Sequence, residues 1–454
     1  MTRQRAAVIL AAGQGTRMKS TLPKVLHKVG GRPLIGWAMD LAQKLGAARA
    51  VAVIAANAPM LHDAAAAALG EKSVAVQDPP RGTADAVKAA AKSLEGFEGD
   101  VVILYGDAPL IRAETVEAMF ALRAEKGGIA VLGFRAADPT GYGRLMRAAD
   151  GSVARIVEER DASDAERAET LCNSGVIVAD KQMLFQLISM VGNANAKGEF
   201  YLTDVVGLGR SSGFLTHVVE AGEAEVLGVN SRAELAEAEA AFQARRRFEA
   251  MEAGVTLIDP DTVYFSHDTQ LGVDVTIEPN VYFGTGVKVG AGATIHAYCH
   301  FERVEIGPEC EIGPFARFRP GAKLGKKVKI GNFVEVKNSN LADGVKANHL
   351  AYIGDADVGA RSNLGAGAIT CNYDGFDKFR TTIGEDVFIG SDTALVAPVK
   401  VGDRAYTAAG SVITKDVSDG ALAVARGRQS ELEGRADKIR AEKTAAKAQK
   451  DAAE

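Results

Sequence analysis

Val8-Ile9-Leu10-Ala11-Ala12-Gly13-Gln14-Gly15-Thr16-Arg17-Met18-Lys19-Ser20, with Leu22-Pro23-Lys24 close behind, decides how the first half of the chain is read. The short apolar run predicts a strand, and it empties at once into a glycine-containing turn and two cations. Glycines at 13 and 15 let the backbone pass close to a ligand without side-chain obstruction. Successive free N–H groups in such a turn form an anion-binding hollow. Arg17 and Lys24 add full positive charges suited to a phosphate chain. A Gly-x-Gly pair alone is a weak signal. The composite of turn, cations and Leu-Pro-Lys is a much stronger one.

Outward from this stretch, strands alternate with amphipathic helices as far as about Asn230. Val51-Ala52-Val53-Ile54, Val101-Val102-Ile103-Leu104-Tyr105 and Ile129-Ala130-Val131-Leu132 read as strands, with helices over 34–45, 84–94 and 113–125. This alternation predicts a Rossmann-like α/β domain with a mainly parallel, covered sheet. Ligands collect at the carboxyl ends of such strands, where Tyr105-Gly106-Asp107 also stands. A carboxylate there either caps the next helix or holds a metal. Beside a phosphate-binding turn the metal role is favoured, because Mg²⁺ takes hard oxygen ligands and bridges phosphate oxygens to one or two protein groups.

At 454 residues the chain is expected to hold two or more domains. Hydrophobic residues at 47% and charged residues at 24% describe an ordinary soluble globular protein. A net charge of −5 gives no electrostatic case for a nucleic-acid or anionic-membrane partner, and no apolar stretch is long enough to span a bilayer. The first residues imitate a signal peptide, but the apolar run is minimal and ends in the glycine turn instead of a cleavable spacer. Cys172, Cys299, Cys310 and Cys371 lack metal-ligand or redox spacing, so they read as reduced thiols of a cytoplasmic protein.

Ser231-Arg232-Ala233-Glu234 has the spacing of a capping box, and Leu235, Ala238, Phe242, Phe248 and Met251 recur near the helical period before Gly254. A long helix over 231–253 is therefore expected to join a domain of residues 1–230 to a second of residues 254–454. Arg245-Arg246-Arg247 spreads round that helix and reads as solvated surface.

After Pro260 the pattern changes. Leu271, Ile277, Phe283, Val289, Ile295 and Phe301 fall at every sixth position. Ile306, Ile312, Phe318, Leu324, Ile330 and Val336 continue after one slip, and the period resumes from Ile383 through Ile389, Leu395, Val401, Thr407 and Ile413. A glycine often follows the anchor, which accounts for the 49 glycines. A six-residue period predicts a parallel β-helix, in which each coil buries its face only against its neighbours. The stretch 347–355 departs from the period and presents His349 with Tyr352 three residues on. A loop is expected near 375–381. The Ala-, Lys- and Glu-rich end, 437–454, reads as a solvated helix with no apolar stripe.

The first half closely resembles the sugar-1-phosphate nucleotidyltransferases, through Leu10 to Met18, Lys24, and segments that follow in the same order. Gln77 with Arg81-Gly82-Thr83 is similar to a uracil-reading segment, although a Gly-Thr-Gly-His-Ala-like run stands here as Gly82-Thr83-Ala84-Asp85-Ala86. Thr140 to Arg144, Ile156-Val157-Glu158 and Asn173-Ser174-Gly175 resemble segments that hold an amino-sugar, and Gly228-Val229-Asn230 a second magnesium-holding segment. The resemblance implies contacts to UTP and the sugar nucleotide from Leu10, Gly13, Lys24, Gln77, Gly82, Thr83, Tyr105, Gly143, Glu158, Asn173 and Asn230. Asp107 and Asn230 are implied to share Mg²⁺, with Arg17 and Lys24 catalytic.

The second half is similar to the hexapeptide acyltransferases, which implies a left-handed β-helix, a homotrimer and an acyl-donor site between subunits. Together the halves resemble the family of bifunctional N-acetylglucosamine-1-phosphate uridylyltransferase/glucosamine-1-phosphate acetyltransferases. The resemblance implies that His349 is the general base of acetyl transfer, with Glu335 a candidate to orient it. Arg319, Lys337, Tyr352 and Asn363 are implied to hold glucosamine 1-phosphate, and Ala366, Asn372, Tyr373, Ser391, Ala409 and Arg426 to contact acetyl-CoA. UTP and N-acetylglucosamine 1-phosphate are the implied substrates of the first half, and UDP-N-acetylglucosamine, a cell-wall precursor, the product. Two rivals remain: a nucleotidyltransferase whose β-helix only regulates or oligomerises, and a non-enzymatic exchange-factor subunit of translation initiation. His349, Tyr352 and Asn363 argue against the first; Arg17, Lys24 and Asp107 argue against the second.

Overall fold

The computed structural model describes residues 3–13 and 15–451. The chain divides into two compact units, one of residues 1–253 with 264–269, the other of 254–263 with 270–454.

Among the described residues the first unit is built on a nine-stranded sheet. Its parallel centre runs Val74–Gln77, Arg49–Ala55, Arg5–Leu10 and Asp100–Tyr105. The apolar runs read from sequence are buried on both faces, as parallel strands covered by helices require. The sheet is mixed, not mainly parallel throughout. Leu171–Asp180 lies antiparallel between Asp100–Tyr105 and Ile129–Arg135, and Arg144–Arg147 with Val153–Val157 forms an antiparallel pair at the edge. The helix expected over 84–94 is an α-helix at Thr83–Ala89 and a tighter 3₁₀ turn at Lys92–Leu94, which tucks Leu94 into the core.

The long helix spans Arg232–Glu252 and starts in a complete capping box, in which Ser231 and Glu234 bond each other's backbone N–H. It folds with the first unit. Ala238 and Phe242 pack with Val29, Leu34, Leu110 and Val229, and Trp37 meets the Phe242 ring edge-on at 5.4 Å. Gln243 donates to the Phe265 carbonyl at 2.7 Å and accepts from its N–H at 2.8 Å. Phe248 and Met251, counted with the apolar face, are exposed. The arginine run is not simply solvated. Arg245 donates to the Leu110 carbonyl at 3.0 Å, Arg246 to that of Thr269 at 3.1 Å, and Arg247 lies 5.7 Å from the Tyr264 ring. The chain's return at 264–269 covers Arg246 and Arg247.

The second unit is a three-faced parallel β-helix, its faces of ten, eight and eight short strands among the described residues. Each hexapeptide anchor points inward onto its counterpart one coil on: Ile277 on Ile295, then Ile312, Ile330 and Ala347. Phe283, Phe301 and Phe318 stack in the core at 5.3 and 5.2 Å. Coil contact is close enough that a Cβ at Gly307 would come 2.2 Å from the Gly325 carbonyl oxygen, so the glycine after the anchor is a steric requirement. The expected break at 347–355 is no break: Ala347 and Ile353 are fully buried anchors in strands Lys346–His349 and Tyr352–Gly354. Alanine simply fills the position with less volume. The one long step runs from Leu364 to Ile389 and holds the exposed loop after Asn372. A helix at Arg435–Asp451 is exposed throughout.

Cys172, Cys299 and Cys310 are buried and Cys371 partly so, all four as free thiols. Burial pushes the Cys299 and Cys310 thiols up to about 11. In native protein at pH 8, a thiol reagent is expected to titrate Cys371 alone, with the other three released only by denaturant; fast native labelling of Cys299 or Cys310 would contradict this packing.

Candidate functional sites

In the first unit the strand Arg5–Leu10 delivers Ala11 to Gly13 to the sheet edge, and 3₁₀ turns at Thr16–Met18 and Lys24–Leu26 carry the chain round a cavity of about 480 Å³. Gly13, Gly15, Thr16 and Lys24 line it. Gly15 has φ +59°, and a Cβ there would lie 2.5 Å from Lys24 Cβ. The glycine therefore lets the lysine stem pass against the turn.

Lys24 is 9% exposed, and its ammonium meets Asp107 Oδ2 and, at 2.8 Å, Asn230 Oδ1. The expected metal pair is thus brought to one point from the end of the Asp100–Tyr105 strand and the start of the long helix. Val229 N–H donates to the Asp107 carbonyl at 2.9 Å, and Glu234 holds the Asn230 N–H, so both oxygens are fixed from behind. Arg17 stands apart at 67% exposure, 4.0 Å from Glu234.

Other predicted residues frame the same edge. Leu10 carbonyl accepts from Gly106 N–H at 2.9 Å. Tyr105 is half-buried, and desolvation with the nearby Glu158 and Asp107 charges raises its phenol well above the ordinary range. Burial also raises the Glu158 carboxyl, against a 3.0 Å hydrogen bond from Thr203 Oγ1. Gly143 carbonyl accepts from Asn173 N–H at 2.8 Å. Thr83 Oγ1 accepts from Leu202 N–H at 2.9 Å, which ties the Gly82-Thr83 pair to 200–202. Gln77 Nε2 donates to the Gly82 carbonyl at 3.0 Å and to Asp85 at 2.9 Å.

In the second unit one edge gathers His349, Ala366, Ser391, Ala409 and Arg426. Coil-to-coil hydrogen bonds put Asn332, His349, Ala366, Ser391 and Ala409 at the same corner of successive coils: their carbonyls accept from Leu350, Gly367, Asp392, Gly410 and, through its side chain at 2.9 Å, Arg426. Just beside them, Tyr298, Phe315 and Phe333 form a stacked and exposed column at 4.9 and 5.2 Å, continued by exposed Leu350. Below it the corner residues are Gly367, Asp392 and Gly410, so a bulky ladder gives way to open ground.

The opposite corner of the same face holds the cations. Arg319 Nη1 is 3.1 Å from Glu335, and Lys337 Nζ is 3.8 Å from Asp355. Burial favours a neutral Asp355, yet hydrogen bonds from Asn338 and Asn372 and the Lys337 charge together hold its carboxyl low. Burial with the neighbouring Lys378 lowers Lys337. Between the corners Glu335 and Tyr352 sit in register. Glu335 does not orient His349. It pairs with Arg319 and Arg317, while His349 Nδ1 faces Asn332 Oδ1 at 2.9 Å. Asn332 escaped sequence reading because it lies a whole coil away; superposing coils on their anchors would have found it. Within one chain His349 makes no hydrogen bond to Arg319, Lys337, Tyr352 or Asn363 among the described residues, and the Tyr373 side chain is turned onto the Gly375 carbonyl.

An α/β unit with a cavity of about 480 Å³ beside a nearly buried lysine, followed by a hexapeptide β-helix, defines a transferase with two sites. Residues 7–175 match the MobA-like NTP transferase domain family, and residues 380–415 the bacterial transferase hexapeptide family. The chain is 54% identical over 450 residues to the bifunctional protein GlmU of Hyphomonas neptunium, covering 98% of this chain and 97% of that one. It is 55% identical over 451 residues to GlmU of Maricaulis maris, with 99% of each covered. A solved UDP-glucose pyrophosphorylase complexed with UDP-glucose covers 54% of this chain and 100% of its own at 18% identity and a TM-score of 0.44. The chain belongs to the GlmU family of bifunctional proteins. It is a uridylyltransferase in its first unit and an acetyltransferase in its left-handed β-helix, so a β-helix that merely regulates is not favoured.

Gly15→Ala is expected to displace Lys24 and lower nucleotidyl transfer by at least about tenfold, with acetyl transfer unchanged; steady-state assays of both activities check this.

Proposed function

We propose that the β-helix unit acetylates glucosamine 1-phosphate from acetyl-CoA, and that the α/β unit joins the resulting N-acetylglucosamine 1-phosphate to UTP, forming UDP-N-acetylglucosamine and pyrophosphate. The observation that supports this most is convergence: in each unit, residues scattered through the sequence meet at one edge, Lys24 with Asp107 and Asn230, and His349 with Ala366, Ser391 and Ala409.

In uridylyl transfer a sugar-phosphate oxygen attacks the α-phosphorus, and the bond to pyrophosphate breaks. The nucleophile is already ionised, so catalysis rests on positioning and charge neutralisation. The Asp107 and Asn230 oxygens fit Mg²⁺: they are hard donors and already converge on a cation, the Lys24 ammonium. When bound, Mg²⁺ supplies positive charge to the phosphates. Lys24 then turns its charge to the reacting phosphates, and Arg17, exposed on the turn Thr16–Met18, meets the departing pyrophosphate. Gln77, Gly82 and Thr83 face the base, and Gly143, Glu158 and Asn173 the sugar.

In acetyl transfer His349 removes a proton from the sugar ammonium, which is not nucleophilic while protonated. The Asn332 side-chain oxygen Oδ1, which accepts from Nδ1–H, favours the tautomer with Nε2 bare. The amine attacks the thioester carbonyl, the C–S bond breaks, and the imidazolium gives its proton to the leaving thiolate, while the second proton that the nitrogen sheds on becoming an amide passes to the freed imidazole and on to solvent. Arg319 and Lys337 hold the phosphate, Tyr352 and Asn363 orient the sugar, and Asn372 and Tyr373 meet acetyl-CoA. Ala366, Ser391 and Ala409 leave a trough along the edge for its chain, down to Arg426. A homotrimer through the β-helix supplies the second wall. Exposed Phe388, Tyr406 and Leu422 on one face and Ile369 and Val412 on another provide its apolar contact. The enzyme is placed in the cytoplasm, consistent with its free thiols; no helix among the described residues is long and apolar enough to cross a membrane.

His349→Ala is expected to lower acetyl transfer roughly 10²–10⁴-fold and spare uridylyl transfer. Asp107→Ala is expected to do the reverse. Separate assays of the half-reactions check both, and loss of both activities from either change would contradict two independent sites.

A further inference from the structure

We infer that Asp85, the residue at which the uracil-reading segment departs from its family pattern, is a positioning residue that fixes the Gln77 amide and so selects uracil over cytosine. The inference rests on the uridylyl-transfer reading.

Gln77 ends the strand Val74–Gln77 and is 4% exposed. Its Nε2 stands between the Gly82 carbonyl oxygen, at 3.0 Å, and Asp85 Oδ2, at 2.9 Å. Both partners only accept, since a carbonyl has no proton and an ionised carboxylate has none either. Only the NH₂ end of the amide can occupy that position, so the orientation is dictated by chemistry. Both of its protons are then used. Oε1 accepts from no described residue and keeps contact with solvent, so the side chain offers the site an acceptor and nothing else.

Asp85 is well placed for this. It lies in the first turn of the helix Thr83–Ala89, its side chain is 13% exposed, and its other oxygen is held by Arg81 Nη2 at 3.0 Å. The carboxylate is therefore pinned on one side and aimed at Gln77 on the other. Uracil carries a proton on N3 and can donate it to Oε1. Cytosine N3 is a bare acceptor, and facing Oε1 it would set two lone pairs together with no proton between them. A polar site built for a donor rejects a ligand lacking it because its own buried group is left unpaired. With Asp85 absent, only the Gly82 carbonyl would resist rotation of the amide, and a rotated amide offers cytosine a donor.

The test is the ratio of kcat/KM for UTP to that for CTP in full-length wild type, Asp85→Ala and Asp85→Asn, with N-acetylglucosamine 1-phosphate as co-substrate. Asp85→Ala is expected to lower the ratio at least about tenfold, the worth of one charge-assisted hydrogen bond, mainly through the KM for UTP. Asp85→Asn, whose carbonyl oxygen can still accept from Gln77, is expected to keep most of it. A ratio within about twofold of wild type in Asp85→Ala overturns the inference, as does an equal fall in both variants. A wild type that does not prefer UTP would instead overturn the uridylyl-transfer reading. Acetyl transfer and thermal unfolding, measured on the same samples, separate misfolding from lost selectivity.

Discussion

The first unit depends on one nearly buried ammonium. A lysine charge removed from water is tolerable only with partners, and Lys24 finds them in Asp107 and Asn230, residues distant in sequence. Each partner carries its own segment to the meeting point. The glycine turn gives the lysine stem room, the Val229 N–H holds the Asp107 loop, and the capping box fixes Asn230 at the head of the long helix. Turn, strand end and helix start are therefore one structure. The same convergence that neutralises the ammonium sets two hard oxygen donors side by side.

The second unit solves a different problem. A coil cannot bury its own apolar face, so each relies on the next, and the repeat of anchors and close glycines follows. The consequence for function is linear order. Residues at equivalent corners of successive coils fall into columns, so a small residue chosen once per coil becomes a trough. Asn332, His349, Ala366, Ser391 and Ala409 form one such column beside a ladder of aromatic corner residues. Side-chain placement here is a matter of coil number.

Local patterns were legible in the sequence. The glycine turn, the capping box, the strands and the hexapeptide anchors each declare themselves within a few residues. Features decided by distant partners were not. The antiparallel insertion of Leu171–Asp180 is set by sheet pairing, and the cover of Arg246 and Arg247 by the chain's return at 264–269. The β-helix seemed to break at 347–355 only because Ala347 is a small anchor that a search for large apolar residues passes over. Glu335 was a candidate to orient His349 because such bases are usually supported by a third group, yet the arginines beside it claim its carboxylate. The Asp85 departure was visible; its bond to Gln77 was not.

The cation site proposed at the edge of the first sheet is tested most directly by Mn²⁺ binding to the full-length enzyme in the presence of UTP, followed by electron paramagnetic resonance. Asp107→Ala and Asn230→Ala are expected to weaken binding at least about tenfold, with His349→Ala indistinguishable from wild type. Undiminished Mn²⁺ binding in Asp107→Ala would contradict the assignment.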